Sequence, residues 1–219
     1  TTELNVLGNT MALEAAYRNS VKRYIYASTV YVFSNSGSFY RCSKQAAEHF
    51  VEAYSDRYGL EYTILRYGSL YGRRSNEQNG IFRLLRQALL EKKVTYFGDG
   101  EAIREYIPVT DAAELSARIL DPQYANRHLV LTGQERLRVR DLMLMIKEIL
   151  PDEIQLEFAT ANPDSHYVTT PYAFQPKIGH KFTCNDYVDL GQGLLDCIAY
   201  IYGQIHSMDD QRDTDLDGK

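Results

Sequence analysis

The chain has 219 residues, with 44% hydrophobic and 24% charged content, an ordinary globular composition that excludes wholesale disorder. A formal net charge of −5 and a pI near 5.6 exclude a broadly basic nucleic-acid footprint. No run approaches the ~20 apolar residues of a membrane helix, and no basic-then-apolar leader opens the chain.

Taken in chain order, Leu4, Leu7, Met11 and Ala15 recur at helical spacing and predict a helix over about 3–18. Asn19-Ser20 breaks it, and the β-rich run Val21–Ala27 reads as a strand, followed by a Ser/Asn/Gly loop at Ser34–Ser38. Ala47, Phe50, Val51 and Tyr54 mark a second helix over about 40–57, stopped by Tyr58-Gly59. Glu61–Tyr67 is an apolar run expected to form a buried strand, so the order β-α-β predicts a parallel α/β sheet. Ile81, Leu84, Leu85 and Ala88 give a further helix, and Val94–Phe97 a strand ending in the turn Gly98-Asp99-Gly100. Asp111 with Glu114 reads as an N-cap and capping box for a helix reaching about 120. His128–Leu131 is a strand closed by Thr132-Gly133. Val139–Ile149 and the segment holding Leu194, Leu195, Ile198 and Ile201 are amphipathic helices. From about 206 the sequence turns polar and acidic, and a frayed tail is expected.

Cys42, Cys184 and Cys197 are odd in number and widely spaced, with no CxxC and no histidine cluster. They read as free thiols in a reducing compartment, which predicts a cytoplasmic protein with no metal site.

Tyr40 and Lys44 form a Y-x-x-x-K, and positions i and i+4 of a helix share a face. A lysine cation near a phenol favours the phenolate and lowers its pKa from about 10, so the tyrosine can exchange a proton with a substrate hydroxyl. By itself the motif is weak, and a surface Tyr–Lys pair would produce it equally. Its context is a preceding strand ending in Ala27-Ser28-Thr29. Ligands of parallel sheets bind beyond the carboxyl ends of strands, where a hydroxyl could bond the same substrate oxygen. Turn chemistry is the competing explanation for one of Ser28 and Thr29.

With these residues in hand, the chain resembles the extended short-chain dehydrogenase/reductases, specifically the nucleotide-sugar epimerases and dehydratases typified by UDP-glucose 4-epimerase. Asn5-Val-Leu-Gly8-Asn-Thr looks like the family's N-V-x-G-T, and Arg23–Tyr31 like its strand and Ser/Thr segment. Leu65-Arg-Tyr-Gly-Ser-Leu-Tyr-Gly72 is similar to L-R-Y-F-N-x-Y-G, and Gly98–Asp111 to G-D-G-x-x-x-R-D-F-x-x-V-x-D. The resemblance implies an NAD-dependent enzyme with Tyr40 as acid/base, Lys44 binding the nicotinamide ribose, and Thr29 orienting the sugar, with Ser28 as its rival. It implies cofactor contacts from Ala27, Ser28, Tyr40, Lys44 and Tyr67. Ser69 and Arg104 would meet the substrate diphosphate, Arg104 through its phosphate-matching fork. Asn79, Arg83 and Tyr96 are weaker candidates for the nucleotide base, each equally open to packing or surface roles.

The implied fold is a partial Rossmann-type parallel sheet, its first βαβ units missing, with a smaller C-terminal substrate-binding lobe. Residues 1–70 and 105–134 would belong to the sheet domain, 71–104 and 135–205 to the lobe, and 206–219 to the tail. The G-x-x-G-x-x-G turn that cradles a cofactor pyrophosphate would precede Thr1, so the chain alone is expected to hold NAD poorly and not turn over. NADP stays open because the discriminating residues would also lie upstream. The loop from Thr29 to Tyr40 is short for the family, and Ser69 stands where asparagine is usual. Counted from the strand, Thr29 takes the catalytic place; counted back from Val30-Tyr31, Ala27 would. The Asp-Glu pair of the 4,6-dehydratases is replaced by Val30-Tyr31, which shifts weight towards 4-epimerisation of a nucleotide sugar, UDP-hexose foremost. A dehydratase, reductase or decarboxylase on the same scaffold, or a non-catalytic NAD-binding member, remains the alternative. Family members commonly dimerise through two helices, here those near 3–18 and 40–57.

Overall fold

The computed structural model describes residues 1–160 and 180–216, the last eleven in backbone only. A π-helical turn at Glu3–Gly8 runs into α1 (Asn9–Arg18), then β1 (Arg23–Thr29), a 3-10 turn at Val30–Phe33, α2 (Ser38–Tyr58) and β2 (Glu61–Tyr67). There follow β3 (Ser69–Tyr71), α3 (Gly80–Glu91), β4 (Lys93–Phe97), β5 (Ile103–Arg104), β6 (Tyr106–Pro108) and α4 (Val109–Arg118). The rest comprises β7 (Arg127–Leu131), β8 (Leu137–Arg138), α5 (Val139–Ile149), β9 (Gln155–Ala159), β10 (His180–Lys181) and α6 (Leu190–Leu216).

The principal sheet has the order β1-β2-β7-β10, all pairs parallel, as the β-α-β pattern predicts. Successive side chains of a strand point to opposite faces, and β2 shows it. Ile64 packs with Leu13 of α1 and Ala47 and Val51 of α2, whereas Leu65 packs with Ala112, Leu115 and Ile119 beyond the other face. A further core gathers Leu84, Leu85 and Ala88 of α3, Leu142, Met143 and Ile146 of α5, and Leu194 and Ile201 of α6 around Val94. Two short pairs, β3-β6 (parallel) and β5-β8 (antiparallel), and the parallel pair β4-β9 complete the described strands.

The elements expected from periodicity are present, with three differences. The first helix is π-helical up to Gly8, and within it Asn5 Nδ2 donates to Ser43 Oγ at 2.9 Å. Asp111 is not a cap: α4 begins at Val109, and the buried Asp111 carboxylate accepts from Val188 N–H at 3.2 Å and from Thr110 Oγ1 at 3.2 Å. A carboxylate in a first turn therefore ties a distant segment down instead of its own helix. The last helix continues through Leu216, past the expected fraying point, no proline interrupting that stretch of sequence. Of the expected lobe, 161–179 lie outside the described residues, as do 217–219 of the tail. No helix among the described residues is long and apolar enough to cross a membrane.

Two glycines carry distinct constraints. Gly59 closes α2 at φ +69°, its N–H bonded to Ser55 O, with open space where a Cβ would stand. At Gly133 a Cβ would lie 1.9 Å from the Tyr106 carbonyl oxygen, so strand β7 can leave the sheet beside β6 only without a side chain there. Gly59→Ala is expected to cost about 1 kcal/mol, the left-handed penalty alone. Gly133→Ala should cost about 3 kcal/mol or more through forced backbone displacement, and denaturant melts of the two variants check the ranking.

Candidate active site

Thr29 is the last residue of β1, and its backbone is still extended (φ −148°, ψ 151°) when the chain turns into Val30–Phe33. Tyr40 and Lys44 stand on the first turns of α2, which starts after Gly37 at φ +97°. Gly37 is required there, because a Cβ would lie 2.6 Å from the Tyr31 ring, which itself meets the Tyr40 ring edge-on at 6.2 Å. The short loop therefore returns the chain directly from strand end to helix start.

The result is one constellation. The Thr29 side chain stands near enough to the Tyr40 phenol to pull its pKa down as a hydrogen-bonding neighbour, while its Oγ1 accepts from Tyr31 N–H at 3.3 Å. Lys44 Nζ donates to the Ala27 carbonyl at 2.8 Å and lies 6.0 Å from the Tyr40 ring centroid and 4.8 Å from that of Tyr26. Tyr40 retains 41% exposure, so a ligand can reach it. Ser43, one turn below, donates to the Tyr40 carbonyl at 2.8 Å and accepts from Asn5, linking the first helix to the same turn.

The structure separates two rivals and corrects one expectation. Ser28 is buried, and its hydroxyl donates to Glu48 Oε1, so of the two rival hydroxyls only Thr29 faces the phenol. The expected net lowering of the phenol's pKa is not found: burial raises Tyr40 above the usual tyrosine value, opposed by its Thr29 neighbour. The ammonium is directed at Ala27 O and the Tyr26 ring, and its own pKa is lowered by burial, with the charge of Glu48 pulling it back up. Desolvation penalises both charged forms, and it is the largest cause of each shift.

The other expected residues sit elsewhere. Tyr67 ends β2, but its side chain faces α4, where its hydroxyl meets Ser116 Oγ at 2.5 Å; only its backbone stands at the sheet end beside Thr29. Ser69 lies on β3 opposite Tyr106. Asn79 caps α3, accepting from Phe82 N–H at 3.1 Å and donating to Leu70 O at 2.7 Å, so its amide is engaged by backbone at both ends. Arg83 is exposed on α3, with Nη1 3.4 Å from Glu77 O. Tyr96 is half-buried on β4 beneath the Gly98 turn, and Arg104 is buried on β5 with Nη1 3.1 Å from Ile103 O.

Sequence reasoning missed Glu48 and Arg66, a buried pair joined by Nη2–Oε2 at 2.6 Å and Nε–Oε1 at 3.1 Å. The signal was available: a charged residue inside an apolar strand must be paired, and Glu48 follows Lys44 by one helical turn.

A hydroxyl, a phenol and an ammonium at the carboxyl end of a parallel sheet define an α/β protein with the elements of a proton-exchange centre. Residues 1–131 match the model of the NAD dependent epimerase/dehydratase family, and the chain belongs to that family. It is 26% identical over 160 residues to a Bacillus subtilis protein described as an uncharacterized UDP-glucose epimerase, covering 67% of this chain and 51% of that one. It is 28% identical over 167 residues to the UDP-glucuronate 4-epimerase of Thermodesulfobacterium geofontis (70% and 52%). With the dTDP-glucose 4,6-dehydratase of Mycolicibacterium smegmatis it shares 27% over 215 residues (90% and 64%). The chain thus spans about half the length of the first two. A UDP-N-acetylglucosamine 4-epimerase from Methanobrevibacter ruminantium M1 shares the fold, with TM-score 0.79 at 19% identity over 92% of this chain and 70% of that one.

Replacing Thr29 by Val removes the hydroxyl that opposes burial at Tyr40. The phenol of Thr29→Val is expected to titrate at higher pH than in the parent. NMR titration of ring-labelled tyrosine reads the shift.

Proposed function

We propose that these residues form the catalytic part of an enzyme that epimerises a nucleotide sugar at C4, a UDP-hexose foremost, through transient oxidation to a 4-keto sugar. The observation that carries the reading is the contact of the Thr29 hydroxyl with the Tyr40 phenol, with Lys44 one helical turn on. A sugar hydroxyl entering beside that pair can bond both oxygens, with Thr29 holding it while Tyr40 takes and later returns its proton. Relatives named as UDP-glucose and UDP-glucuronate epimerases support the substrate class.

A nicotinamide cofactor fits the residues present in part. Lys44 and the accessible Tyr40 would hold a nicotinamide ribose, whereas no G-x-x-G-x-x-G turn for a pyrophosphate occurs in the 219 residues. A bound NAD would supply the acceptor and donor of the hydride. The chain's own groups hold the ribose and sugar hydroxyls and move the proton. Arg104 and Ser69 are proposed for the diphosphate, and Arg83 and Tyr96 for the base. Residues 1–70 with 105–134, and 71–104 with 135–205, are the proposed sheet domain and substrate lobe, with the site between them.

A 4,6-dehydratase is the second reading, favoured by the 90% coverage of this chain in the M. smegmatis match. Elimination needs a carboxylate beside the sugar, but Thr29 is followed by buried Val30 and by Tyr31, and Glu48 is engaged by Arg66 and Ser28. Epimerisation is therefore preferred. The test, on the whole encoded polypeptide, is product analysis with NAD and a panel of UDP-, GDP- and dTDP-sugars. C4 epimers without net NADH are expected, and Tyr40→Phe should lower turnover by about 10²–10⁴-fold. A 4-keto-6-deoxy product, or unchanged turnover in Tyr40→Phe, would contradict the reading.

The proposed assembly is a homodimer through the first helix and α2, in a cytoplasmic setting. Leu4, Leu7 and Met11 form an exposed apolar stripe, Leu4 at 80% exposure, and Phe50 of α2 is also exposed. Sedimentation should give a dimer, and Leu4→Ser/Leu7→Ser/Met11→Ser should shift it to monomer.

A further inference from the structure

The polar groups buried between α2 and the sheet have no role in the proton exchange proposed above, yet they converge on the helix that carries it. Glu48 follows Lys44 by one helical turn and Tyr40 by two, on the same face. Its carboxylate accepts from Ser28 Oγ on β1 and from Arg66 Nε and Nη2 on β2. Ser28 and Arg66 are register partners in the sheet. Ser28 sits between Ala27, whose carbonyl takes the Lys44 ammonium, and Thr29, whose hydroxyl meets Tyr40. One carboxylate thus holds the helix against the two strand ends that the reactive groups use.

Arg66 is itself fixed. Its Nη2 lies 2.9 Å from His128 Nδ1, and its guanidinium carbon stands 4.4 Å from the Phe33 ring centroid. Arginine has no acceptor, so Nδ1 carries the lone pair and Nε2 the proton, which faces Glu52 Oε1 at 3.1 Å. The side chains of Arg66 and Glu48 are 4% and 6% exposed. Burying an ion pair this deeply is poor as a stabilising device, because desolvation consumes most of the attraction. A use beyond stability is the better explanation of it.

We propose that Glu48 is a positioning residue for the Tyr40–Lys44 pair: it ties α2 to the ends of β1 and β2 and places a fixed negative charge one turn from the Lys44 ammonium. The proposal rests on the catalytic reading of Tyr40 and Lys44, but its test does not use turnover. The titratable groups facing Lys44 are Tyr40 and Glu48 on α2 and Tyr26 on β1. Burial lowers the Lys44 pKa, and Glu48 raises it.

The experiment follows acylation of Lys44 in the full chain by an amine-reactive reagent across pH, read by peptide mass spectrometry. In Glu48→Gln the titration point should fall by about 1 pH unit, giving roughly ten-fold faster labelling below it. Glu48→Gln leaves Arg66 uncompensated and could unfold the chain, so Glu48→Gln/Arg66→Gln, which buries no unpaired charge, is measured in parallel. A smaller downward shift is expected in this double variant, because the positive charge of Arg66 is removed together with the carboxylate. A role in scaffolding alone leaves its Lys44 titration at the parental point, and that result overturns the proposal. A double variant that does not fold, by circular dichroism, overturns it as well, by making the pair a determinant of folding. If Tyr40→Phe leaves turnover intact while Lys44 shifts as expected, the catalytic reading fails and the electrostatic coupling stands.

Discussion

The docking of α2 on β1 is the constraint on which the rest of the site depends. Thr29 is fixed by the sheet and Tyr40 by the helix, so their contact exists only if helix and strand hold one axial and rotational setting. Rotating α2 by one residue would swing Tyr40 about 100° around the helix axis and away from the strand end. Apolar packing resists that rotation: Ala47 and Val51 of α2 are buried against Leu13 and Ile64. Burying each large aliphatic side chain contributes about 1.5–3 kcal/mol. Directional bonds refine the setting, from Lys44 to Ala27, Ser43 to the Tyr40 carbonyl, and Glu48 to Ser28.

The same packing works against the proposed proton exchange. Taking the phenol and the ammonium partly out of water moves Tyr40 up and Lys44 down, each away from its charged form. Thr29 counters the first shift and Glu48 the second. The site is a balance between desolvation, which excludes competing water, and neighbouring groups that keep a proton transferable. Glu48 therefore belongs in the account although it lies beneath the reactive surface.

Much of this was legible in the sequence because it depends on local pattern. The helical spacing of Ala47, Val51 and Tyr54, the apolar run of β2 and the stop at Gly59 place α2 and its strands within a few residues. The strand-side count that selects Thr29 rests on the sheet, which fixes its strand ends, whereas the ten residues between Thr29 and Tyr40 include a loop that does not. The illegible parts are long-range. The short strands β3, β5, β6 and β8 have only two or three residues and no period to detect. Nothing near Asp111 reveals that its partner is the backbone of Val188, 77 positions away. Likewise, the sign of the Tyr40 shift depends on burial by the whole fold, whereas i, i+4 spacing reports only that Lys44 is near.

Family membership and site geometry meet at one claim: Thr29 and Tyr40 address the same substrate oxygen. A crystal structure with NAD and a UDP-hexose bound to the whole polypeptide tests it directly. The account predicts one sugar hydroxyl, that on C4, within about 3 Å of both Thr29 Oγ1 and Tyr40 Oη. A sugar seated with C4 away from both oxygens, or a Thr29 side chain turned into the sheet in the complex, would contradict it.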